Sequence, residues 1–361
     1  QMLTMPRRCL LRVLLVALIS LSVLAPVKAN WIERSVGSKK NWRSITSSSD
    51  GTKLAAIASN DYIWTSTDSG ATWTSVGSSK DWRSITSSSD GTKLAATVFN
   101  GNIWTSTDSG GTWTSVGSLE GWWGITSSSN GAKLAAVTYG GNIWTSTDSG
   151  GTWTSVGSTK WWTDITSSSD GTKLAAVILG GNIWTSTNSG GTWTSVGSSK
   201  NWKGITSSSD GAKLAAFEYA GSSGNIWTSI DSGASWTEVT SITSTGKLWS
   251  GITSSSDGTK LAAVDSAIDG NIWTSTDSGA TWTEHTSEGG VWTDITSSSD
   301  GTKLAAAEAP GYPNSKGNIW TLDSNCDASA EPTHGGVGTC TSSLASGSTC
   351  QPTCNDGYTV S

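Results

Sequence analysis

Residues Trp82–Gly117 read WRSITSSSDGTKLAATVFNGNIWTSTDSGGTWTSVG, and this stretch decides the fold. WRSITSS is a short strand, and Asp90-Gly91 turns the chain. KLAATVF is a second strand, ended by the hairpin signal Asn100-Gly101. NIWTST is a third strand, DSGG is the next turn, and TWTSVG is a fourth strand. Apolar residues show no helical period of useful length. Ala95-Ala96 places small side chains where one sheet must lie close to the next.

The stretch recurs about every forty residues, seven times in all. Trp42, Trp82, Trp122, Trp162, Trp202, Trp249 and Trp292 each stand three residues before the Ile of an Ile-Thr pair. Trp64, Trp104, Trp144, Trp184, Trp227, Trp273 and Trp320 follow an Ile, and Trp31, Trp73, Trp113, Trp153, Trp193, Trp236 and Trp282 form a third set. A repeat of this length cannot bury its apolar face alone and must stack on its neighbours. Four strands in each of seven copies predict an all-β fold, a seven-bladed β-propeller with four-stranded antiparallel blades over residues 30–323. The ends fit one another: Trp31 and SVGSKK match a fourth strand, whereas the last copy stops after its third, at NIWTL. The strand near residues 30–36 is therefore expected to complete the final blade and close the ring, leaving no free edge.

Outside the repeats the chain changes character. Arg7, Arg8 and Arg12 precede the 13-residue apolar run Val13–Ala25 and the small residues up to Ala29. This is the pattern of a cleaved signal peptide over residues 1–29, and the run is shorter than the roughly 20 residues of a membrane span. Cleavage after Ala29 removes four cations and no acid, so the formal charge moves from -6 to -10. An acidic chain with only Arg34, Arg43 and Arg83 as arginines is a poor partner for nucleic acid or an anionic membrane. Export to the cell exterior or surface is expected, with an organelle lumen as the alternative. Residues 324–361 form a Gly-, Ser- and Thr-rich tail holding Cys326, Cys340, Cys350 and Cys354. Four cysteines in an exported chain predict two disulfides with three possible pairings, unless the tail is the start of a longer cysteine-rich module.

The turn between third and fourth strands carries Ser66–Trp73, STDSGATW. It recurs at Ser106–Trp113 and Ser146–Trp153, at Ser186–Trp193 with Asn188 for Asp, at Ser229–Trp236 and at Ser275–Trp282. These segments resemble the Asp box, Ser-x-Asp-x-Gly-x-Thr-Trp, of sialidase-type (BNR) repeats. An Asp here accepts hydrogen bonds from its own turn, and the Gly permits positive φ. Asp68, Asp108, Asp148, Asn188, Asp231 and Asp277 are read as structural, because Asn188 keeps the acceptor and loses the charge. The SSDGTK turns bring one carboxylate each, too few for calcium, and their lysines are expected to face solvent. No cofactor or metal is expected; His285 has no second ligand close in sequence.

The resemblance implies an arginine triad for sialidase chemistry, and three scattered arginines do not supply one. A glycosidase needs only two carboxylates. The candidates are acids that break the repeat: Asp164 and Asp294 before Ile-Thr, Asp269, and above all Glu218, Asp265 and Glu308 after Leu-Ala-Ala in the last three copies. Trp123 and Trp161 lie outside the three tryptophan sets, and Tyr139 and Tyr219 share one repeat position with Phe99. These aromatics are candidates for stacking on sugar rings or docking a protein. The chain is also similar to the photosystem II assembly and stability factors, which implies a non-catalytic propeller scaffold; the arginine-rich patch of that group is not expected from so few arginines. The expectation is a secreted scaffold that presents a carbohydrate- or extracellular-protein-binding surface. A glycoside hydrolase of Asp-box propeller type and a structural surface or wall protein are the alternatives.

Overall fold

The computed structural model describes residues 31–219, 221, 224–242, 247–310, 317–322, 335–336 and 353–354. Residues 1–29, expected to be a signal peptide, and Cys326, Cys340 and Cys350 lie outside them, so neither that expectation nor the disulfide expectation is addressed.

Every regular element among the described residues is a β-strand. The copy beginning at Trp82 shows how the sequence becomes a sheet. Its first strand pairs antiparallel with the second, Ile85 opposite Ala96 and Ser87 opposite Leu94. The hairpin at Asn100 then returns the chain, with Trp104 opposite Ser115 and Thr105 opposite Thr114. Asn100 takes φ 52°, the left-handed conformation for which Asn is the favoured non-glycine residue. The fourth strand of one copy runs straight into the first strand of the next. Thr74–Ser87, Thr114–Ser127, Thr154–Ser167 and Thr283–Ser297 each serve two units. Sheets of ten, seven and four strands result, and none of them closes on itself.

Two kinds of contact link the units. Apolar clusters fill the space between successive sheets: Ala95 and Ile103 of one unit meet Trp122, Ile125, Leu134 and Ala136 of the next, all buried. Trp122 packs edge-on to Trp144 and tilted against Trp153, at centroid distances of 6.0 and 6.1 Å. The equivalent Trp82, Trp162 and Trp202 have the same two neighbours in kind. The fully buried alanines let the sheets approach while the tryptophans supply the volume.

The second link is a backbone hydrogen-bond series at the turn end. Ser49 N–H donates to Ser89 O, Ser89 to Ser129, Ser129 to Ser169, Ser169 to Ser209, Ser209 to Ser256, Ser256 to Ser299, and Ser299 back to Ser49. The first strands touch one another in the same cyclic order. The first and last strands of the repeat region meet directly as well. Trp31–Arg34 pairs antiparallel with the last third strand, Ile32 opposite Thr321. Arg34 Nε donates to Thr321 Oγ1 at 2.8 Å, and Trp42 Nε1 donates to Gly317 O at 2.9 Å.

The lysines of the SSDGTK turns differ from the solvent-facing expectation. They are half-buried, each lying across the turn of the next unit. A Cβ on Gly91, where φ is +67°, would sit 2.8 Å from Lys53 Cδ. The long aliphatic stem covers the junction while Nζ reaches out to Ser109 Oγ at 3.4 Å.

Candidate functional site

Strand direction sorts the features between two ends. SSDGTK turns and the turns between third and fourth strands occupy one end, where Ser69 N–H bonds Thr52 O. The hairpins after Leu-Ala-Ala and the connections between units occupy the other, called here the hairpin face.

At the turn end each turn between third and fourth strands forms a closed hydrogen-bond set. Asp148 Oδ1 accepts from Thr152 N–H and Ser146 Oγ, and Oδ2 from Thr152 Oγ1, all at 2.8 Å. Ser146 Oγ also accepts from Gly150 N–H at 2.9 Å. The Thr152 amide, the Thr152 hydroxyl and the Ser146 hydroxyl hold Asp148 down at about 2. Asn188 makes the same acceptor bonds, from Thr192 N–H at 2.8 Å and Ser186 Oγ at 3.0 Å. In the other turns Asp90 accepts from Ser88 Oγ, Thr92 N–H and Thr92 Oγ1, with the serine hydroxyl the largest of several influences that lower it to about 2. These carboxylates are saturated by their own turns. Among the described residues no three His, Cys, Asp or Glu side chains gather closely enough to hold a metal ion.

The three off-consensus acids of the last copies are each engaged within their surroundings. Glu218 accepts from Trp227 Nε1 at 3.3 Å and pairs with Lys200 at 3.3 Å. Asp265 is buried, accepts from the N–H groups of Leu248 and Ala267 at 2.9 Å, and lies 3.6 Å from Lys247 Nζ. Glu308 is buried and accepts from Trp320 Nε1 at 3.1 Å.

Asp164 and Asp294 act as staples between first strands. Asp164 bonds Ile165 N–H of its own strand and Ile205 N–H of the next, at 2.8 and 2.9 Å. Asp294 does the same for Ile295 and, from the last unit to the first, for Ile45 at 3.0 Å. Burial pushes Asp164 up to about 7, against those amide bonds and with a further push from the charge of Asp294. Burial likewise raises Asp294 to about 6.

On the hairpin face the sequence-flagged aromatics converge. Trp123 stacks on Tyr139 with ring centroids 4.8 Å apart and 28° between planes. Tyr139 meets Trp161 at 4.8 Å, its directly opposed strand partner. Phe99 adds an edge contact to Trp123 at 6.2 Å. Three of the four are open to solvent: Trp161 is 56% exposed, Tyr139 38% and Phe99 37%. Trp123 is half-buried, because the Arg83 guanidinium covers its other face at 3.4 Å. Gly140 lies beneath the Trp161 ring, where a Cβ would come within 3.0 Å of the indole. Tyr219 is not in this row; it stands beside Lys203, whose Nζ is 5.8 Å from the ring centre.

Cations border the row. Burial, then the charge of Arg43, lowers Arg83 to about 10. Lys203 is lowered by burial and by the charge of Arg83. Arg43, Arg83, Trp123 and Lys203 all follow the first-strand Trp of their copy, so one repeat position builds this collar. The shared position of Arg43 and Arg83 was legible in the sequence; that Lys203 joins them, and that Arg83 lies on Trp123, was not.

No family model and no curated protein sequence matches the chain. Solved structures do. YCF48 bound to D1 peptide superposes with a TM-score of 0.62 at 16% identity, over 81% of this chain and 96% of that one. The GH74 enzyme of Niastella koreensis gives 0.65 at 16% identity over 81% of this chain, which spans 53% of the enzyme. The β-propeller domain of Cps50 (Swd1) from Myceliophteria thermophila gives 0.64 at 13% identity, over 81% and 99%. At these identities the likeness establishes the fold alone, and that fold is a β-propeller.

Proposed function

We propose that this chain is a secreted, seven-bladed Asp-box β-propeller, its ring completed by Trp31–Arg34, that serves as a non-catalytic scaffold presenting a binding surface for carbohydrate or an extracellular protein. The observation that carries this reading is the solvent-exposed row of Phe99, Tyr139 and Trp161 backed by Trp123 on the hairpin face. Exposed aromatic faces clustered in this way mark recognition surfaces. The Asp boxes are turn hardware in this reading, since their oxygens are spent on their own turns. Secretion rests on the basic and apolar segment of residues 1–29, and two disulfides on the tail cysteines.

A hydrolase would require two carboxylates flanking one glycosidic bond. Glu218, Asp265 and Glu308 are each held by an indole, a lysine or backbone amides, which supports the binding reading over the hydrolytic one. The test is to screen the purified full chain on glycan arrays and against secreted-protein libraries. Reproducible binding lost on Trp161→Ala is expected. The absence of any ligand, or hydrolysis of a polysaccharide abolished by Glu218→Ala, would refute the proposal.

A further inference from the structure

Deepening that binding-face reading, we propose that the hairpin face binds an anionic oligosaccharide, with Trp161 as the stacking platform and Arg43, Arg83 and Lys203 as the clamp for its carboxylates. The geometry assigns different tasks to the aromatics. Trp123 has no free face: Arg83 covers one side at 3.4 Å and Tyr139 the other at 4.8 Å. It therefore orients the guanidinium and is not itself the platform. Trp161 rests on Gly140 and leans against Tyr139, and with 56% of its surface exposed its outward face is open. A rigid indole presented flat suits the C–H face of a pyranose ring, because it offers contact area with little loss of conformational freedom.

Charge selects the kind of saccharide. The chain is acidic, at -6 overall, yet Arg43, Arg83 and Lys203 stand at one position of first strands that touch in a ring, with Arg83 lying 3.4 Å over Trp123; the charge of Arg43 bears on Arg83, and that of Arg83 on Lys203. Among the described residues none of the three makes an ion pair. The acid that bears on Arg83 is Asp81, which accepts from Ser59 Oγ at 2.8 Å and forms no ion pair with the guanidinium. Mutually repelling cations held beside an aromatic platform are complementary to an anion that stacks. Guanidinium groups favour planar carboxylates, which they engage through two parallel N–H donors. An acidic peptide fits less well. The recesses lined by Lys173, Leu174, Thr185, Ser207 and Gly211, and their counterparts in other units, lie at the turn end, at the opposite end from Arg43, Arg83 and Lys203.

The experiment is calorimetric titration of the full chain with oligogalacturonate, with its methyl ester as a neutral control of the same rings, and with oligoglutamate. Binding of the free acid, weakened by salt, is expected. Arg83→Gln should weaken it about tenfold or more, as should Trp161→Ala. Arg43→Gln is a second charge variant, since Arg43 is exposed and its loss leaves the fold intact; melting curves check this for all three. Equal binding of acid and ester, indifferent to both arginine changes, would overturn the anion assignment while leaving a glycan-binding face. Binding of oligoglutamate alone would overturn it in favour of a peptide. Binding of none of the three would refute it, and the glycan and protein screens then decide separately whether the face binds anything.

Discussion

A carboxylate's position in the repeat decides what it does here. Asp148 and its equivalents are spent on their own turns, whereas Asp164 and Asp294 replace Ser or Gly at a first-strand position and bind amides of the neighbouring strand. The two kinds respond to pH with opposite signs. Asp90 and Asp148 lie at about 2 when folded, below the unfolded value of about 3.9, so their stabilisation is present above about pH 4 and is lost as pH falls toward 2. Asp164 at about 7 holds its proton more tightly folded than unfolded. Its contribution is fully present below about pH 4 and is lost as pH rises to about 7. Asp164→Asn should therefore flatten the stability profile between about pH 4 and 7, and its gap to the wild type should shift in the variant's favour as pH rises. Thermal melts of both proteins at several pH values, compared pairwise so that His285 cancels, check this; a constant gap would rule it out. The off-consensus acids were visible in the sequence as breaks in the repeat. Which of them pair, staple or face a partner was not, because each fate depends on groups from another strand or another unit.

At the scale of the element, one unit is a sheet whose core belongs to its neighbour. Trp122 is fully buried between Ala95 and Ile103 of the preceding unit and Trp144 and Trp153 of its own. Trp122→Ala is expected to cost about 3–5 kcal/mol, read by denaturant unfolding, and to loosen two units together. The turn at Gly91 joins units in another way. Its φ of +67° excludes ordinary side chains, and its Cβ position is occupied by the Lys53 stem. Gly91→Ala should destabilise by about 1–2 kcal/mol through the backbone alone, with Lys53 displaced in addition; Lys53→Ala in the same chain should recover part of the loss if the clash is real. Strand order, turn positions and hairpins could all be read from Trp82–Gly117, since period-2 patterning and Gly placement are local. The inward set of the lysines could not, because a cation after a turn signals solvent unless a facing glycine leaves room for its stem.

At the scale of the molecule, the cycle from Ser49 through Ser299 and the pairing of Trp31–Arg34 with Ile319–Leu322 bring the first and last units together. Lys303 Nζ on Asp50 O at 2.9 Å and Asp294 on Ile45 N–H add side-chain links across the same junction. Deleting residues 31–36 should expose the edge of Ile319–Leu322, lower the melting temperature and promote self-association. Light scattering with a melting curve checks this, and an unchanged monomer of equal stability would exclude a closing role for that strand. The sequence by itself determined the repeat, the four strands of each unit and the turn chemistry, because those depend on residues close together in the chain, and it showed the match between the first strand and the incomplete last copy, because each end can be compared with the full repeat. Only the tertiary structure decided that Trp123 is sandwiched and Trp161 open, that Lys203 joins Arg43 and Arg83, and that Glu218, Asp265 and Glu308 are engaged. The reason is physical: exposure and charge coupling are set by distances between units, and those distances exist only after the units have packed.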